Sequence, residues 1–412
     1  MFFSYFCRVV QQARAYWQNC GMFTEMKTMY IKLKLIVKRL LDPTIISLIT
    51  LLLVEFTIVL PLSFAKFNVA QNIFEQYNVI DAYFTIHKQN EQVQDIANIV
   101  VVDIANCTDR DSISDYIKTI NSAEPKVIGI DILFENPDSC TDSRLIQVLT
   151  ETPNLVVVSY LKKEYSSEEC RFYEQKQSFD TLQSPLYSGC SNHVYEKGLT
   201  PTCRYFLQYM FLNEDTIKTF ASTIARIALP KDYAKLTQRK YGKEYINFNN
   251  FIDTINIQSF QSLSYEDKLS WIKDKIVLIG NLNNLQDRHI TPIQSQMSGI
   301  MLHAYILSTI EKNNFINIMS DLGNWIMSFL IIMIVASIKH RVKNKEWLNM
   351  FMPVIQGIII LIGIILGYLI FDLYNYYIPV IYILIGVGIV SFPYNLYYKI
   401  KENIFKHKKI KQ

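Results

Sequence analysis

Four apolar runs, at 44–64, 322–338, 349–371 and 376–396, constrain this chain more than any other feature. Each is about long enough, as a helix, to cross a hydrocarbon core of ~30 Å. The charges beside them set a direction. Lys27, Lys32, Lys34, Lys38 and Arg39 precede the first run, and Lys339, Arg341, Lys343 and Lys345 follow the second. Lys399, Lys401, Lys406, Lys408, Lys409 and Lys411 follow the fourth, whereas the 372–375 loop holds neither Lys nor Arg. Four crossings therefore put every basic cluster on one side, the cytoplasmic side by the positive-inside rule. With 50% hydrophobic and only 19% charged residues, the chain is not an ordinary soluble domain. Its net charge of +4 is concentrated beside the apolar runs, which points to membrane lipid as a partner and away from nucleic acid.

The leader, 1–43, is expected to stay in the cytoplasm, although Met22 or Met26 could serve equally as the start. The run at 44–64 reads as an uncleaved signal anchor, because the leader is long, the run exceeds a signal-peptide core and no A-x-A site follows. Glu55 lies in mid-span, where an ionised carboxylate is costly, so it is expected to be protonated or hydrogen-bonded to another helix. The tail, 397–412, is too short to hold a catalytic domain, so no fused output is expected there.

Between the first and second runs, 67–320 contains no spanning segment and is long enough to bury its own core. Continuous Val/Ile runs at 99–104, 127–134 and 155–161 alternate with helical stretches at 112–120 and 143–149. That alternation predicts βαβ units with right-handed crossovers: an α/β domain with a mostly parallel sheet and helices on both faces, outside the cytoplasm. Residues 276–279 are expected to join the same sheet, closed by Gly280. The polar stretch 165–204 reads as a surface excursion, 216–229 as an amphipathic helix, and 243–248 and 255–257 as short strands in an antiparallel or irregular part. After a loop carrying Asp287, Arg288 and His289, the punctuation of Thr291, Pro292 and Gly299 gives way to a helix with Ile300, Ala304 and Leu307 on one face. That helix leads almost directly into the second apolar run.

In an open parallel sheet the crevice lies beyond the carboxyl ends of the strands. Asp103 and Asp131 end the first two strands and are expected to face one another there, with Asp287, His289 and His303 able to join them. Such a set could hold a cation or a hydroxylated ligand; alternatively, Asp103 and Asp131 accept backbone N–H groups in the loops that follow them. No metal is assigned, since C-x-x-C spacing is absent, and no cofactor is implied. Of seven cysteines, Cys7 and Cys20 lie in the leader. Cys107 and Cys140 each follow the carboxyl end of one of the first two strands, which are expected to be neighbours, and so are expected to pair. One further pair is expected among Cys170, Cys190 and Cys203, such as Cys190 with Cys203.

The IVVVDI strand, the VIGIDILFENPD segment, the late KIVLIGN, QDRHITP and GIMLHA block, and the flanking apolar runs together resemble the type-two CHASE domain, the cyclases and histidine kinases associated sensory extracellular domain. Gly280, Asp287, Thr291, Pro292, His303 and Ala304 carry the most specific part. The resemblance implies a bacterial inner-membrane receptor with a periplasmic sensory domain. It would bind an unknown small-molecule, ion or peptide stimulus and relay it through the C-terminal helices to a separate output protein, as a homodimer. Family members usually carry a kinase or cyclase after those helices, and this chain departs from that pattern. An enzyme is not expected. The alternatives are a scaffolding membrane protein without ligand sensing and a metal-dependent hydrolase built on Asp103, Asp131 and Asp287.

Overall fold

The computed structural model describes residues 32, 40–56, 79–88, 96–105, 107–134, 142–165, 170–178, 187–195, 201–213, 215–239 and 242–410. They fall into two compact units. An α/β body spans Lys66–Asn317 and takes in Ile370–Tyr377, and a helical unit holds Met1–Ala65, Ile318–Leu369 and Ile378–Gln412.

The strands of the body are β1 (Ile96–Asp103), β2 (Val127–Ile130), β3 (Leu155–Tyr165), β4 (Cys170–Gln177), β5 (Tyr187–Cys190), β6 (Tyr205–Phe206), β7 (Tyr209–Leu212), β8 (Asp215–Lys218), β9 (Glu244–Tyr245), β10 (Phe251–Asn256), β11 (Ile276–Gly280), β12 (Arg288–His289) and β13 (Met297–Ser298). A seven-stranded sheet runs β10-β1-β11-β2-β3-β4, with β5 also paired to β3. All its pairings are parallel except β3 with β4. Two expectations are corrected here. The expected 255–257 strand is the end of β10, which is parallel and belongs to the main sheet at its β1 edge, whereas β9 pairs antiparallel with β6 and β7 with β8 in small separate sheets, as expected of this part. The late strand β11 also inserts between β1 and β2, so the first two strands are not neighbours.

After a first helix α1 at 40–56, the helices of the body are α2 (Val79–Lys88), α3 (Arg110–Asn121), α4 (Asp142–Glu151), α5 (Phe220–Ala228), α6 (Pro230–Gln238), α7 (Ile257–Ser262), α8 (Tyr265–Ile272) and α9 (Gly299–Glu311). Helix α3 starts where Asp109 accepts the Ser112 N–H, and it buries Ile113, Ile117 and Ile120 along one stripe. Those side chains pack with Val100, Val102, Ile128, Ile130, Val277 and Ile279 on one face of the sheet, closed further by Leu145 of α4, Phe260 of α7 and Ile272 of α8. Strand residues alternate, so Ile99, Val101 and Leu278, which are also buried, point to the opposite face. Helices α5 and α9 cover that face against β1, β3, β5 and β11. Burial on both faces is why these strands read as unbroken apolar runs.

In the helical unit, α10 (Asp321–Val342) and, after a short α11 (Glu346–Met350), α12 (Met352–Tyr374) are each long and apolar enough to cross a membrane. The fourth run is not one straight helix. Helices α13 (Ile381–Ile389) and α14 (Ser391–Ile410) meet at a 44° bend and count as a third candidate span only if taken together. Pro393 explains the bend: it has no N–H for the Ile389 carbonyl, and its ring crowds the preceding turn. Just before the bend, the Gln356 side-chain amide donates to the Val387 carbonyl at 2.6 Å. Of the first run, 44–56 is helical and the remainder lies outside the described residues, so among the described residues two to three candidate spans stand where four were expected. Within the unit, Glu55 accepts a hydrogen bond from the Trp325 indole of α10 at 2.8 Å, the interhelical role expected of it.

Candidate functional site

The carboxyl end of β11 is the focus of the site, and Gly280 makes the approach to it possible. A Cβ at Gly280 would lie 2.6 Å from Ile300 Cδ1 and 3.4 Å from Asp131 Cβ. A side chain there would force the Ile300 side chain, in the first turn of α9, to move. Asp103 lies on the other side of this strand from Asp131, and its role is local. Its Oδ1 accepts the N–H groups of Ala105 at 2.9 Å and Leu282 at 3.0 Å, stapling the loops after β1 and β11. The two acids stand on strands separated by β11, and Asp103 takes the alternative role of accepting backbone N–H groups in the loops that follow.

Asp131 is half-buried just beyond β2, with its N–H on the Ile279 carbonyl at 2.9 Å. Burial, reinforced by the nearby Asp287, pushes its carboxyl up to about 7. Asp287 has the opposite character. Burial works against its charge, but hydrogen bonding to His289, the charge of the neighbouring histidines and the Gly299 N–H hold its carboxyl below the ordinary value. Its Oδ1 lies 2.7 Å from His289 Nε2, and its Oδ2 accepts the Gly299 N–H at 3.0 Å. Gly299 opens α9, so Asp287 serves as an anionic cap on that helix. Only glycine fits here, since any Cβ would overlap the Asp287 carboxylate.

His289 sits on β12, where pairing with Met297 of β13 turns the chain back toward α9. Its Nδ1 is 2.6 Å from the Tyr195 hydroxyl. The turn between the two strands is held by Thr291, whose hydroxyl donates to the Gln294 carbonyl and accepts the Gln294 N–H. His303 lies in the second turn of α9 and is buried, with neither ring nitrogen hydrogen-bonded among the described residues. Burial drives it down to about 4, with Asp287 opposing and His289 assisting. Its ring centroid is 5.1 Å from that of Phe220 and 4.4 Å from that of His193.

His193 is the residue that sequence reasoning missed. It follows β5 in a segment without periodicity, pinned by Asn192, whose amide donates to the Leu161 carbonyl at 2.9 Å and accepts the Leu161 N–H at 2.7 Å. That side chain imitates a strand partner for β3 and so delivers the His193 ring 4.6 Å from His289. Burial, followed by the two neighbouring histidines, holds His193 well below its ordinary value. A rarity signal was present: the chain has six histidines, and three of them meet here.

The structure thus brings together Asp131, Asp287, His289 and His303, adds His193 and Tyr195, and leaves Asp103 outside. A cavity of about 10 Å³ adjoins the cluster, lined by Asn192, His193, Thr219 and His303 among others, with room for one water-sized species. Among the described residues, no three His, Cys, Asp or Glu side chains converge as a metal site. The Cys190–Cys203 bridge is not formed. Both are free, buried thiols; Cys190 Sγ contacts Asn192 Oδ1 at 2.9 Å and Cys203 Sγ the Val194 carbonyl at 3.2 Å. Burial pushes the two thiols up, to about 11 and about 12, which leaves them weak nucleophiles. Cys107 is also free, and its expected partner Cys140 lies outside the described residues.

The profile of the CHASE2 domain matches residues 49–338, which takes in the whole sheet, the site and α10. No curated protein and no solved structure matches the chain. Sheet, late block and apolar helices agree with that match over more than half of the sequence, and the chain belongs to the CHASE2 family of sensory extracellular domains.

Proposed function

We propose that this protein is a membrane-anchored receptor whose extracytoplasmic body senses a small ionic stimulus at the Asp131, Asp287 and histidine cluster and relays it through α9 to the C-terminal helices. The observation that carries this reading is the double engagement of Asp287: one oxygen meets His289 and the other caps the first N–H of α9. Anything that competes for that carboxylate alters the N-terminus of the helix that leads toward α10. The cavity of about 10 Å³ favours a proton or single ion over a drug-sized organic molecule, which needs several hundred Å³. The same geometry disfavours the hydrolase alternative, because Asp103 is committed to two backbone N–H groups and cannot complete a three-carboxylate set.

The finer topology belongs to the same proposal. The body lies outside the cytoplasm of a bacterial inner membrane, both termini lie inside, and a separate protein reads the output. The basic clusters that flank the apolar runs support it. The relay is tested by inserting Gly-Ser-Gly after Asn314 in the full chain and following backbone hydrogen exchange. In the uninterrupted chain Asp287→Asn should change protection in both α9 and α10. With the insert, only α9 should respond; an undiminished response of α10 would sink the mechanical relay.

A further inference from the structure

The loop between the last two apolar runs belongs to the α/β body, since Ile370–Tyr377 groups with Lys66–Asn317. The final turn of α12 therefore ends inside the sensor. Phe371 is 3% exposed there, with its ring 4.2 Å from Tyr83 and 5.9 Å from Phe84, both edge-to-face. The Tyr83 hydroxyl donates to Asp372 Oδ1 at 3.0 Å and accepts from the Asn249 amide at 3.2 Å. Asn375 has a left-handed backbone, φ 48°, and its N–H returns to the Phe371 carbonyl, which terminates the helix. Its own carbonyl accepts the Asn317 N–H at 2.8 Å.

Asn247 ties this loop to the site. Its N–H donates to the Thr309 hydroxyl in the last turns of α9 at 3.0 Å. Its side-chain amide donates to the Asn314 carbonyl at 3.0 Å and to Asn375 Oδ1 at 3.3 Å. Asn247 is 1% exposed, so these bonds do not compete with bulk water. Helix α9 has its first N–H on Asp287 and its last turns on Asn247, and a helix of 13 residues is a rigid strut of ~20 Å between them.

We propose that the turn at 371–375 is an intramolecular ligand of the sensor, docked on Tyr83, Phe84 and Asn247, so that a stimulus at the histidine cluster reaches α12 and α13 as well as α10. Two outlets follow from one strut. Asn247 touches α9, the segment leading to α10 and the α12 turn, so a shift of α9 must repack both exits together or break the Asn247 bonds. This deepens the receptor reading and rests on it for its consequence, but its measurement needs no signalling output.

The test uses the full chain in lipid nanodiscs, with hydrogen exchange followed at peptides covering α9 and 370–377. Asp287→Asn perturbs the site. In the otherwise native chain it should speed exchange at the start of α9 and, about tenfold, at Asn375 and Asn317. Asn247→Ala should speed exchange at 370–377 by itself and abolish any further response to Asp287→Asn. Because Asn247 is buried, Asn375→Gly serves as the second variant; it keeps the left-handed turn, removes only the side chain, and should uncouple the loop in the same way. If Asp287→Asn changes α9 but leaves 370–377 unmoved, the second outlet is overturned while the receptor reading stands. If α9 itself does not respond, the receptor reading falls as well.

Discussion

Two acids at one end of the sheet, Asp131 and Asp287, are held in opposite states, and that contrast sets the residue-scale behaviour. Asp131 is raised from 3.8 to about 7, so its cost to the fold is absent at low pH and grows as pH rises from about 4 through 7. Asp131→Asn should accordingly raise the melting temperature at pH 8 by about 3–6 °C, from roughly 1–2 kcal/mol after allowing for partial exposure, and have little effect near pH 4. Equal shifts at both pH values would show that Asp131 is not the group responsible. The histidines work in the other direction. His303 falls from 6.5 to about 4 and His193 also falls, so their contribution is complete above pH 6.5 and is lost as pH drops toward 4. The charged and titratable groups facing them are Asp287, His289 and Lys163, with Tyr195 against His289. Thermal scans should show a loss of stability across that acid window that is smaller in His303→Phe. Gly299→Ala tests the cap at the same scale: the new methyl displaces Asp287, with an expected loss of about 2 kcal/mol by chemical denaturation.

At the scale of elements, α9 differs from every other helix of the body in being buried almost all round, with Ile300, Leu302, Ala304, Ile306, Leu307 and Ile310 inside. A helix with no solvent face cannot rotate without moving its neighbours, so a change at its start is transmitted as displacement rather than absorbed as fraying. Its amphipathic spacing marked one face in the sequence, but the second buried face exists because α5 packs against it. In the helical unit, the Glu55 to Trp325 bond joins α1 to α10. Glu55→Leu should lower resistance to detergent unfolding by about 0.5–1 kcal/mol, the usual worth of one interhelical hydrogen bond in a membrane protein. A larger loss would mean that the carboxylate has a second role in the bundle.

For the whole molecule, the end of α12 is a structural part of the α/β body, since Ile370–Tyr377 groups with Lys66–Asn317. A reporter enzyme fused after Gln412 should be active on the cytoplasmic side, and one inserted at 372–375 should report from the opposite side while loosening the body. Activity of the first fusion only outside the cytoplasm would overturn the proposed placement of the C-terminus inside.

The sequence alone determined what depends on local composition and spacing. Unbroken Val/Ile runs announced strands buried on both faces, the helix after Gly299 followed from its apolar period, and the late block around Asp287 and His303 carried the family resemblance. Long-range order was not written at that scale. Nothing in 276–279 says that it inserts between the first two strands, and that insertion separates Asp103 from Asp131. His193 gave no periodic signal, because its place is fixed by an Asn192 side chain imitating a strand partner across the chain. The thiols of Cys190 and Cys203 were countable, but their separate burial was not. The docking of Phe371 was likewise decided by neighbours that only folding brings near. Periodicity records which face of an element is buried; tertiary packing decides against what, and here that decision made the site.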